Sequence, residues 1–189
     1  MYIVFDTETT GLPKDWKAPV SQVDNWPRLV QLGWMLFNDQ QELISEANLI
    51  IQPIGFTIPL QASKIHGISQ ARALEEGLPV QVVLGQFSAD LDQADWMIAH
   101  NLDYDEKVMG AEFIRAKLPN LFQGKRKLCT KTAATDYCKL PGKYGYKWPT
   151  LDELYNKLFE TGFEDAHNAL GDVRATARCY FELKKRGIV

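Results

Sequence analysis

Residues 4–12 read Val4-Phe5-Asp6-Thr7-Glu8-Thr9-Thr10-Gly11-Leu12 and follow the apolar pair Tyr2-Ile3. The run Tyr2–Phe5 is apolar and rich in β-forming residues, which predicts a buried central strand. Because side chains two apart share a face of a strand, Asp6 and Glu8 are expected to leave its end side by side. Two carboxylates so close repel each other and are costly to desolvate, which favours a divalent cation between them. A solvated strand end is the alternative that this motif alone leaves open.

The whole chain has the size and composition of one globular domain. Its 189 residues are 46% hydrophobic and 24% charged, so a single domain over residues 1–189 with a proper core is predicted. No apolar run reaches the length of a membrane span, and Met1 leads directly into a strand. We therefore expect no membrane association and a cytoplasmic location. The three cysteines lack the spacing of a disulfide framework or a zinc knuckle.

The positive charges are concentrated in one segment. The net charge of −3 argues against a surface coated in cations for nonspecific duplex binding. From Lys125-Arg126-Lys127 to Lys147, however, cations alternate with aromatic residues such as Tyr144 and Trp148. This mixture suits single-stranded nucleic acid, whose phosphates bind cations and whose splayed bases stack on rings. A solvated loop with half-buried rings is the alternative interpretation.

A long loop and two strands are predicted after the first motif. The loop Pro13–Pro27 is polar and interrupted by prolines, and a loop of that length in a compact domain is typical of a functional flap. Strands are predicted at Leu29–Phe37 and Glu42–Ile51, around the turn Asn38-Asp39-Gln40. A meander of three strands is therefore expected to open the fold.

A second acidic segment, His100-Asn101-Leu102-Asp103-Tyr104-Asp105, follows another predicted buried strand at Trp96–Ala99. Asn101 is a good N-cap for the next helix, which would lift Asp105 one turn above it on the same face. Asp103 is the competing carboxylate. Both carboxylates also suit the positive end of a helix without any further role, and position alone does not choose between these interpretations.

The final predicted helix carries a third motif, within Asp165–Thr176. Asn168 is expected to cap this helix, which places Asp172 in its first turns. His167 lies just before the helix, on a loop from which it could approach whatever Asp172 holds. Other helices are predicted over about Val80–Leu91 and after a capping box that begins at Thr150.

In order, the three motifs are Asp-x-Glu, His-Asn-x-x-Tyr-Asp and His-x-Ala-x-x-Asp. With them the chain resembles, over nearly its whole length, the DEDDh (DnaQ-like) family of 3′-to-5′ exonucleases. The resemblance implies an α/β ribonuclease-H-like fold, with a mixed central β-sheet flanked by α-helices and the site at the C-terminal edge of the sheet. The strands and helices predicted from the residues agree with that fold.

The resemblance also implies a catalytic centre. By it, Asp6, Glu8, Asp105 and Asp172 bind two divalent cations, Mg²⁺ or Mn²⁺, and His167 is the general base. One cation would lower the pKa of an attacking water, and the other would stabilise the leaving 3′ oxygen.

Substrate contacts follow from the same resemblance, most of them with a structural alternative. Thr9 would lie near the terminal 3′-hydroxyl. Leu12 would pack against the terminal base, or belong to the core. His66 and Asn101 would neighbour the last nucleotide, or only hold a turn and cap a helix.

We therefore expect a metal-dependent 3′-to-5′ exonuclease that releases nucleoside 5′-monophosphates from the 3′ end of single-stranded DNA. The alternatives are a 3′-to-5′ exoribonuclease or oligoribonuclease, and a non-catalytic nucleic-acid-binding domain attached to a polymerase. The complete set of ligands and base argues against a silent domain. Expected partners are single-stranded 3′ ends, of DNA before RNA, together with a DNA polymerase or a second copy of the chain.

Overall fold

The computed structural model describes residues 1–163 and 168–189. At its centre is a five-stranded sheet in the order β3-β2-β1-β4-β5. The strands are β1 (Tyr2–Thr9), β2 (Leu29–Phe37), β3 (Leu43–Ile50), β4 (Trp96–Ala99) and β5 (Arg126–Cys129). Strands β1 to β3 form an antiparallel meander, whereas β4 and β5 run parallel to β1. The predicted mixed sheet and its opening meander are confirmed.

Helices precede β4, connect β4 to β5 and follow β5. The earlier ones are α1 (Leu60–His66), α2 (Gln70–Glu76), α3 (Val80–Gln93) and α4 (Leu102–Ala116). The later ones are α5 (Thr130–Ala133), α6 (Thr135–Cys138), α7 (Leu151–Phe159) and α8 (Ala169–Lys185), with a small hairpin of β6 (Pro141–Gly142) and β7 (Gly145–Tyr146) before α7. Among the described residues, no helix has both the length and the apolar character needed to cross a bilayer.

Two helix starts match the sequence prediction. At α7 the capping box is formed, because Oγ1 of Thr150 accepts the N–H of Glu153 while the Glu153 carboxylate accepts the N–H of Thr150. At α8 the side chain of Asn168 accepts the N–H of Leu170. Each bond satisfies a backbone donor that the first turn of a helix leaves without a partner.

The two faces of β1 pack against different helices. Phe5 belongs to a core cluster with residues of α3 and α4, whereas Val4 packs on α8 through Val173. Asp6 and Glu8 continue the α8 face, as the alternation of side chains predicts. The strand extends to Thr9, so both carboxylates lie within it and not beyond its end as expected from the apolar run alone.

The N-terminus of α8 is docked on β2 at Gly33. A Cβ on Gly33 would stand 2.7 Å from the carbonyl carbon of Ala169, so only glycine permits this approach. Beside it, the N–H of Ala169 donates to Oε1 of the buried Gln31 at 3.3 Å. Because Gly33 pairs with Asp6 in the β1–β2 ladder, this contact brings the first turn of α8 next to Asp6.

The loop Pro13–Pro27 is tied to α4 by a buried ion network. Glu112 of α4 is buried and accepts charged hydrogen bonds from Arg28 at 2.8 Å and Arg115 at 2.7 Å. Arg115 also donates to the carbonyl of Trp26 at 2.7 Å, and the Trp26 ring is itself buried. The second half of the loop that was predicted to act as a flap is therefore anchored to the body of the protein.

Candidate active site

Three elements bring acidic side chains together at one edge of the sheet. Asp6 and Glu8 belong to β1, and Asp172 lies in the first turn of α8. Carboxylate oxygens of these three residues lie within 4.8 Å of one another, close enough to share a cation. Asp105 approaches from α4, where it is buried and accepts a hydrogen bond from Oγ1 of Thr7 at 2.7 Å. The structure thus gathers all four predicted carboxylates, which we call the carboxylate cluster.

Burial and mutual repulsion raise the pKa values in the carboxylate cluster. The pKa of Asp6 is raised by burial and by the charges of Asp105, Asp172 and Glu8. That of Glu8 is raised to about 8, chiefly by burial. Burial raises the pKa of Asp105 to about 7, although the hydrogen bond from Thr7 opposes the rise. Such a cluster gains from a divalent cation, and its all-oxygen donors fit Mg²⁺ or Mn²⁺.

Asp105, and not the competing Asp103, joins this cluster. The side chain of Asp103 is 73% exposed and forms a salt bridge of 2.8 Å with Lys107, one turn along the same helix. Asp105 is buried, and its charge contributes to the raised pKa of Asp6. The choice that position in the sequence left open is thus made by the way α4 packs on β1.

Hydroxyl groups hold the turn that follows β1. The hydroxyls of Thr9 and Tyr104 lie 2.6 Å apart, and both lie within 2.8 Å of the carbonyl oxygen of Gly11. The next residue, Leu12, has 72% of its surface exposed. Leu12 is therefore not a core residue, and its apolar side chain is presented to solvent at the end of the strand that carries Asp6.

His66 is a buried residue at the end of α1. Its Nδ1 accepts the N–H of Ile68 at 3.1 Å, which is the turn-holding role that the sequence left open. Its Nε2 is buried and makes no hydrogen bond of ordinary geometry within the described residues. Burial lowers the pKa of His66, and the nearby Thr9 carbonyl opposes that fall. His66 thus holds a turn and also neighbours Thr9.

Asn101 occupies the N-cap position of α4, but its side chain does not cap the helix. Its Oδ1 instead accepts a hydrogen bond from Nζ of Lys131 at 3.0 Å. The preceding His100 is enclosed, with Nδ1 2.9 Å from Oγ1 of Thr130 and Nε2 3.1 Å from the carbonyl of Pro149. Burial lowers the pKa of His100 to about 4. With both ring nitrogens engaged, His100 has no lone pair left for a reacting water.

His167, the predicted general base, lies outside the described residues, and its role stays a prediction. Asp172 does lie within them, and it makes polar or electrostatic contacts beyond those given above. The helix start between the two residues is as expected, since Asn168 caps α8.

The basic segment is divided between the two ends of the sheet. Arg126 begins β5 and pairs with Trp96, at the end of the parallel strands opposite to the carboxylates. There its guanidinium lies 5.5 Å from the centre of the Trp96 ring, while Lys125 donates to the carbonyls of Asp92 and Ala94. The first two cations of Lys125-Arg126-Lys127 therefore lie at the opposite end of the parallel strands from the carboxylates, and phosphate binding by this segment stays a prediction.

Comparisons with known proteins identify relatives of the chain. The exonuclease family model RNase_T matches residues 3–180. A DNA polymerase III subunit epsilon-like protein of Rhodobacter capsulatus is 28% identical over 195 residues, which make up 99% of this chain and 25% of that protein. The chain therefore spans about a quarter of the length of this relative.

Solved structures share the fold. E. coli Exonuclease I in complex with a dT13 oligonucleotide gives a TM-score of 0.76 at 17% identity, over 98% of this chain and 41% of that one. A zinc-bound E. coli ExoI–ssDNA complex gives 0.73 at 19% identity, over 98% and 40%. A moderately thermophilic Exonuclease I from Methylocaldum szegediense gives 0.76 at 18%, over 98% and 40%. The predicted ribonuclease-H-like α/β fold is confirmed by these similarities.

Proposed function

Because the chain belongs to the exonuclease family, as a DnaQ-like 3′-to-5′ exonuclease domain, we propose that it removes nucleotides from the 3′ end of single-stranded DNA with two divalent cations. The observation that carries this proposal is the carboxylate cluster. Four acidic side chains from three elements meet there, and three of them lie within 4.8 Å of one another. A structural role does not account for buried and half-buried carboxyl groups that repel one another, whereas a cation site does.

Asp6, Glu8, Asp105 and Asp172 would hold the cations. Bound there, Mg²⁺ or Mn²⁺ would lower the pKa of an attacking water and neutralise charge on the leaving oxygen. His167 accepts the proton of that water as its oxygen attacks phosphorus. The bond from phosphorus to the 3′ oxygen breaks with its electron pair going to that oxygen, which takes up a proton from solvent. This releases a nucleoside 5′-monophosphate and leaves a shortened strand with a new 3′-hydroxyl.

The residues around the carboxylate cluster would position the end of the strand. Leu12 is exposed at the end of β1 and would pack against the terminal base. Thr9 and the neighbouring His66 would meet the terminal sugar. Asn101 would contact the last nucleotide through its amide group, whose oxygen is oriented by Lys131.

Single-stranded DNA is preferred to RNA in this proposal because of the relatives. The two E. coli Exonuclease I structures described above are complexes with single-stranded DNA, and the R. capsulatus relative is epsilon-like. The latter name also supports a DNA polymerase as a partner. A second copy of the chain remains a further prediction. An exoribonuclease would use the same centre, and the difference rests on contacts to the 2′-hydroxyl.

The direct test is degradation of 5′-labelled DNA and RNA strands of one sequence in the presence of Mg²⁺. We expect a ladder that shortens stepwise from the 3′ end, faster for DNA, and abolished by chelator and by Asp6→Asn. A matched control is Asp152→Asn, since Asp152 is an exposed carboxylate in the first turn of α7. Fragments that appear in random order, or equal cleavage of strands blocked by a 3′-phosphate, would indicate an endonuclease instead.

A further inference from the structure

Two exposed tryptophans line one groove beside the carboxylate cluster. The groove has a volume of about 740 Å³ and is lined by Trp16 of the long loop, Trp148 before α7, and residues of α4, β5 and α5. Trp16 is 48% exposed and Trp148 is 61% exposed. Large rings left in solvent on both sides of one cavity point to a ligand with a flat apolar surface.

Both rings are fixed in place. The Trp16 ring packs at a tilt against Tyr104, with ring centres 5.8 Å apart, and its carbonyl accepts a hydrogen bond from Lys107. On the other side, Nζ of Lys131 lies 4.7 Å from the centre of the Trp148 ring. The next carbonyl along from Trp148, that of Pro149, lies 3.1 Å from Nε2 of the half-buried His100. Ordered rings lose little conformational entropy on stacking, so the groove is prepared to bind.

The groove neighbours the carboxylate cluster, since Lys131 of its lining acts electrostatically on Asp105. Tyr104, on which Trp16 packs, immediately precedes Asp105 and bonds to the Gly11 carbonyl next to Leu12. Lys131 donates to Asn101, and its positive charge lowers the pKa of Asp105. A strand whose 3′ end reaches the cluster therefore has this groove beside it.

The charges of the groove suit a base better than a row of phosphates. Its wall includes Glu106, which neutralises Lys127 in a salt bridge of 2.5 Å. It also includes Asp103, which pairs with Lys107. Lys131 forms no salt bridge within the described residues and is the cation available to a neighbouring phosphate. Phosphates need unpaired cations, whereas bases need rings, and the groove supplies chiefly rings.

We propose that the groove between Trp16 and Trp148 binds a base of the single strand upstream of the nucleotide being removed. The proposal rests on the proposed exonuclease function and adds a site to it. Every base can stack on an aromatic ring, so this site would strengthen binding of single-stranded DNA without a preference for sequence. A base inside a duplex is already paired and stacked, so the groove also favours single-stranded ends.

The test replaces each ring and matches it with a ring outside the groove. Trp16→Leu and Trp148→Leu keep an apolar side chain but remove the stacking surface, and Trp96→Leu makes the same change at the opposite end of the sheet. Affinity is measured by fluorescence anisotropy of a 5′-labelled DNA strand in the Asp6→Asn background, so that the strand stays intact. The KM and kcat of terminal cleavage are measured in the otherwise wild-type protein.

We expect each groove variant to bind about 5- to 100-fold more weakly, the range that corresponds to stacking of one base. KM should rise while kcat changes little, because a remote base adds equally to ground-state and transition-state binding. One abasic position in the strand should weaken wild-type binding, and its further effect should be smaller in Trp148→Leu, where only the Trp16 ring remains to stack. Trp96→Leu should behave like the wild type in both assays.

Three results would overturn the proposal. Groove variants with wild-type affinity and KM would exclude the groove as a base site. The proposed function would still stand in that case if Asp6→Asn abolishes cleavage. Equal losses in Trp96→Leu and the groove variants would show a general effect on folding. If the wild type shortens no strand at all, the proposed function falls and this inference falls with it.

Discussion

The hydroxyl of Thr7 donates to the carboxylate of Asp105 at 2.7 Å, and this bond joins β1 to α4 inside the core. It orients a predicted ligand from behind, as groups around metal ligands commonly do. We expect Thr7→Val to weaken the apparent affinity for Mg²⁺ by about 10- to 100-fold, the usual effect of removing such a partner. The Mg²⁺ dependence of strand cleavage measures it. Thr7→Ser keeps the hydroxyl and should restore most of the affinity; equal losses in both variants would exclude the hydrogen bond as the cause.

The close contact of Gly33 with α8 gives a second prediction. In Gly33→Ala the new methyl group would overlap the Ala169 backbone, so α8 must shift, at a cost of about 1–3 kcal/mol in unfolding free energy. Asp172 moves with α8, and cleavage should fall as well. Gly85→Ala is the control, since Gly85 is exposed on α3 with open space around it. That change should stabilise the protein by about 0.5–1 kcal/mol, and urea unfolding compares the two.

The raised carboxyl pKa values predict how the stability of the metal-free protein depends on pH. The pKa of Glu8 is about 8 and that of Asp105 about 7 in the folded protein, both well above the ordinary carboxyl range. Between the ordinary carboxyl pKa and these raised values, the folded chain holds more protons than the unfolded chain. Stability is therefore lost as the pH rises through the pKa values of the folded protein. In chelator, the Tm should therefore fall from about pH 5 to about pH 8.

Added Mg²⁺ should raise that Tm, and more so at the alkaline end, because the cation replaces the protons. Asp6→Asn removes one charge from the carboxylate cluster and should flatten the pH profile in chelator. A Tm in chelator that does not fall with pH would contradict the electrostatic description of the cluster.

Leu12 should contribute to binding of the DNA strand but not to folding. Its side chain is 72% exposed, so Leu12→Ala should change the unfolding free energy by no more than about 0.5 kcal/mol. If it packs against the terminal base, KM should rise severalfold. Ile54→Ala is a matched control, since Ile54 is 65% exposed on a different loop. Identical KM values for the two variants would remove Leu12 from the substrate site.

His167 of the third motif and His100 of the second motif should respond differently to substitution by glutamine. His167→Gln should lower kcat by about 10²- to 10⁴-fold, the contribution of a positioned general base, with strand affinity unchanged. His100→Gln breaks contacts to Thr130 and Pro149, so it should lower the Tm and leave kcat close to wild type. A large fall in kcat for His100→Gln alone would reverse the two roles.

Much of this fold was predicted from rules that relate residues a few positions apart in the sequence. The alternation of β1 placed Asp6 and Glu8 on one face, and side-chain caps marked the starts of α7 and α8. These rules act between residues a few positions apart, so one sequence suffices to apply them. The assembly of the carboxylate cluster was then an expectation of the family resemblance, because nothing local brings α8 to β1.

Other predictions depended on distant residues and were incomplete or wrong. Asn101 occupies the cap position, but Lys131 engages its side chain. Asp103 and Asp105 both suit the first turn of α4, and only the packing of that helix separates them. The basic segment looked continuous in sequence, yet β5 carries its two halves to different ends of the sheet. Contacts of this kind are set by topology, which charge patterns do not reveal.

Some residues that position the site were not predicted from the sequence. A glycine inside a buried strand, as at Gly33, commonly marks close approach of another backbone, and that signal was present. Tyr104 stood within the second motif, next to Asp105, without an assigned role. Trp16 lay in the loop Pro13–Pro27, for which a functional flap was predicted without a role for any single residue, and its contact with Tyr104 places it beside the site.

The placement of Asp172 on α8 has a consequence for the newly made chain. Asp6 and Glu8 are synthesised before Asp172, which follows only after every strand of the central sheet. Contacts between segments so far apart form late, because the closure of long loops must come first. A ribosome-bound chain that has not yet docked α8 lacks one of its four carboxylates. We therefore expect the proposed nuclease to be inactive until α8 has docked at Gly33.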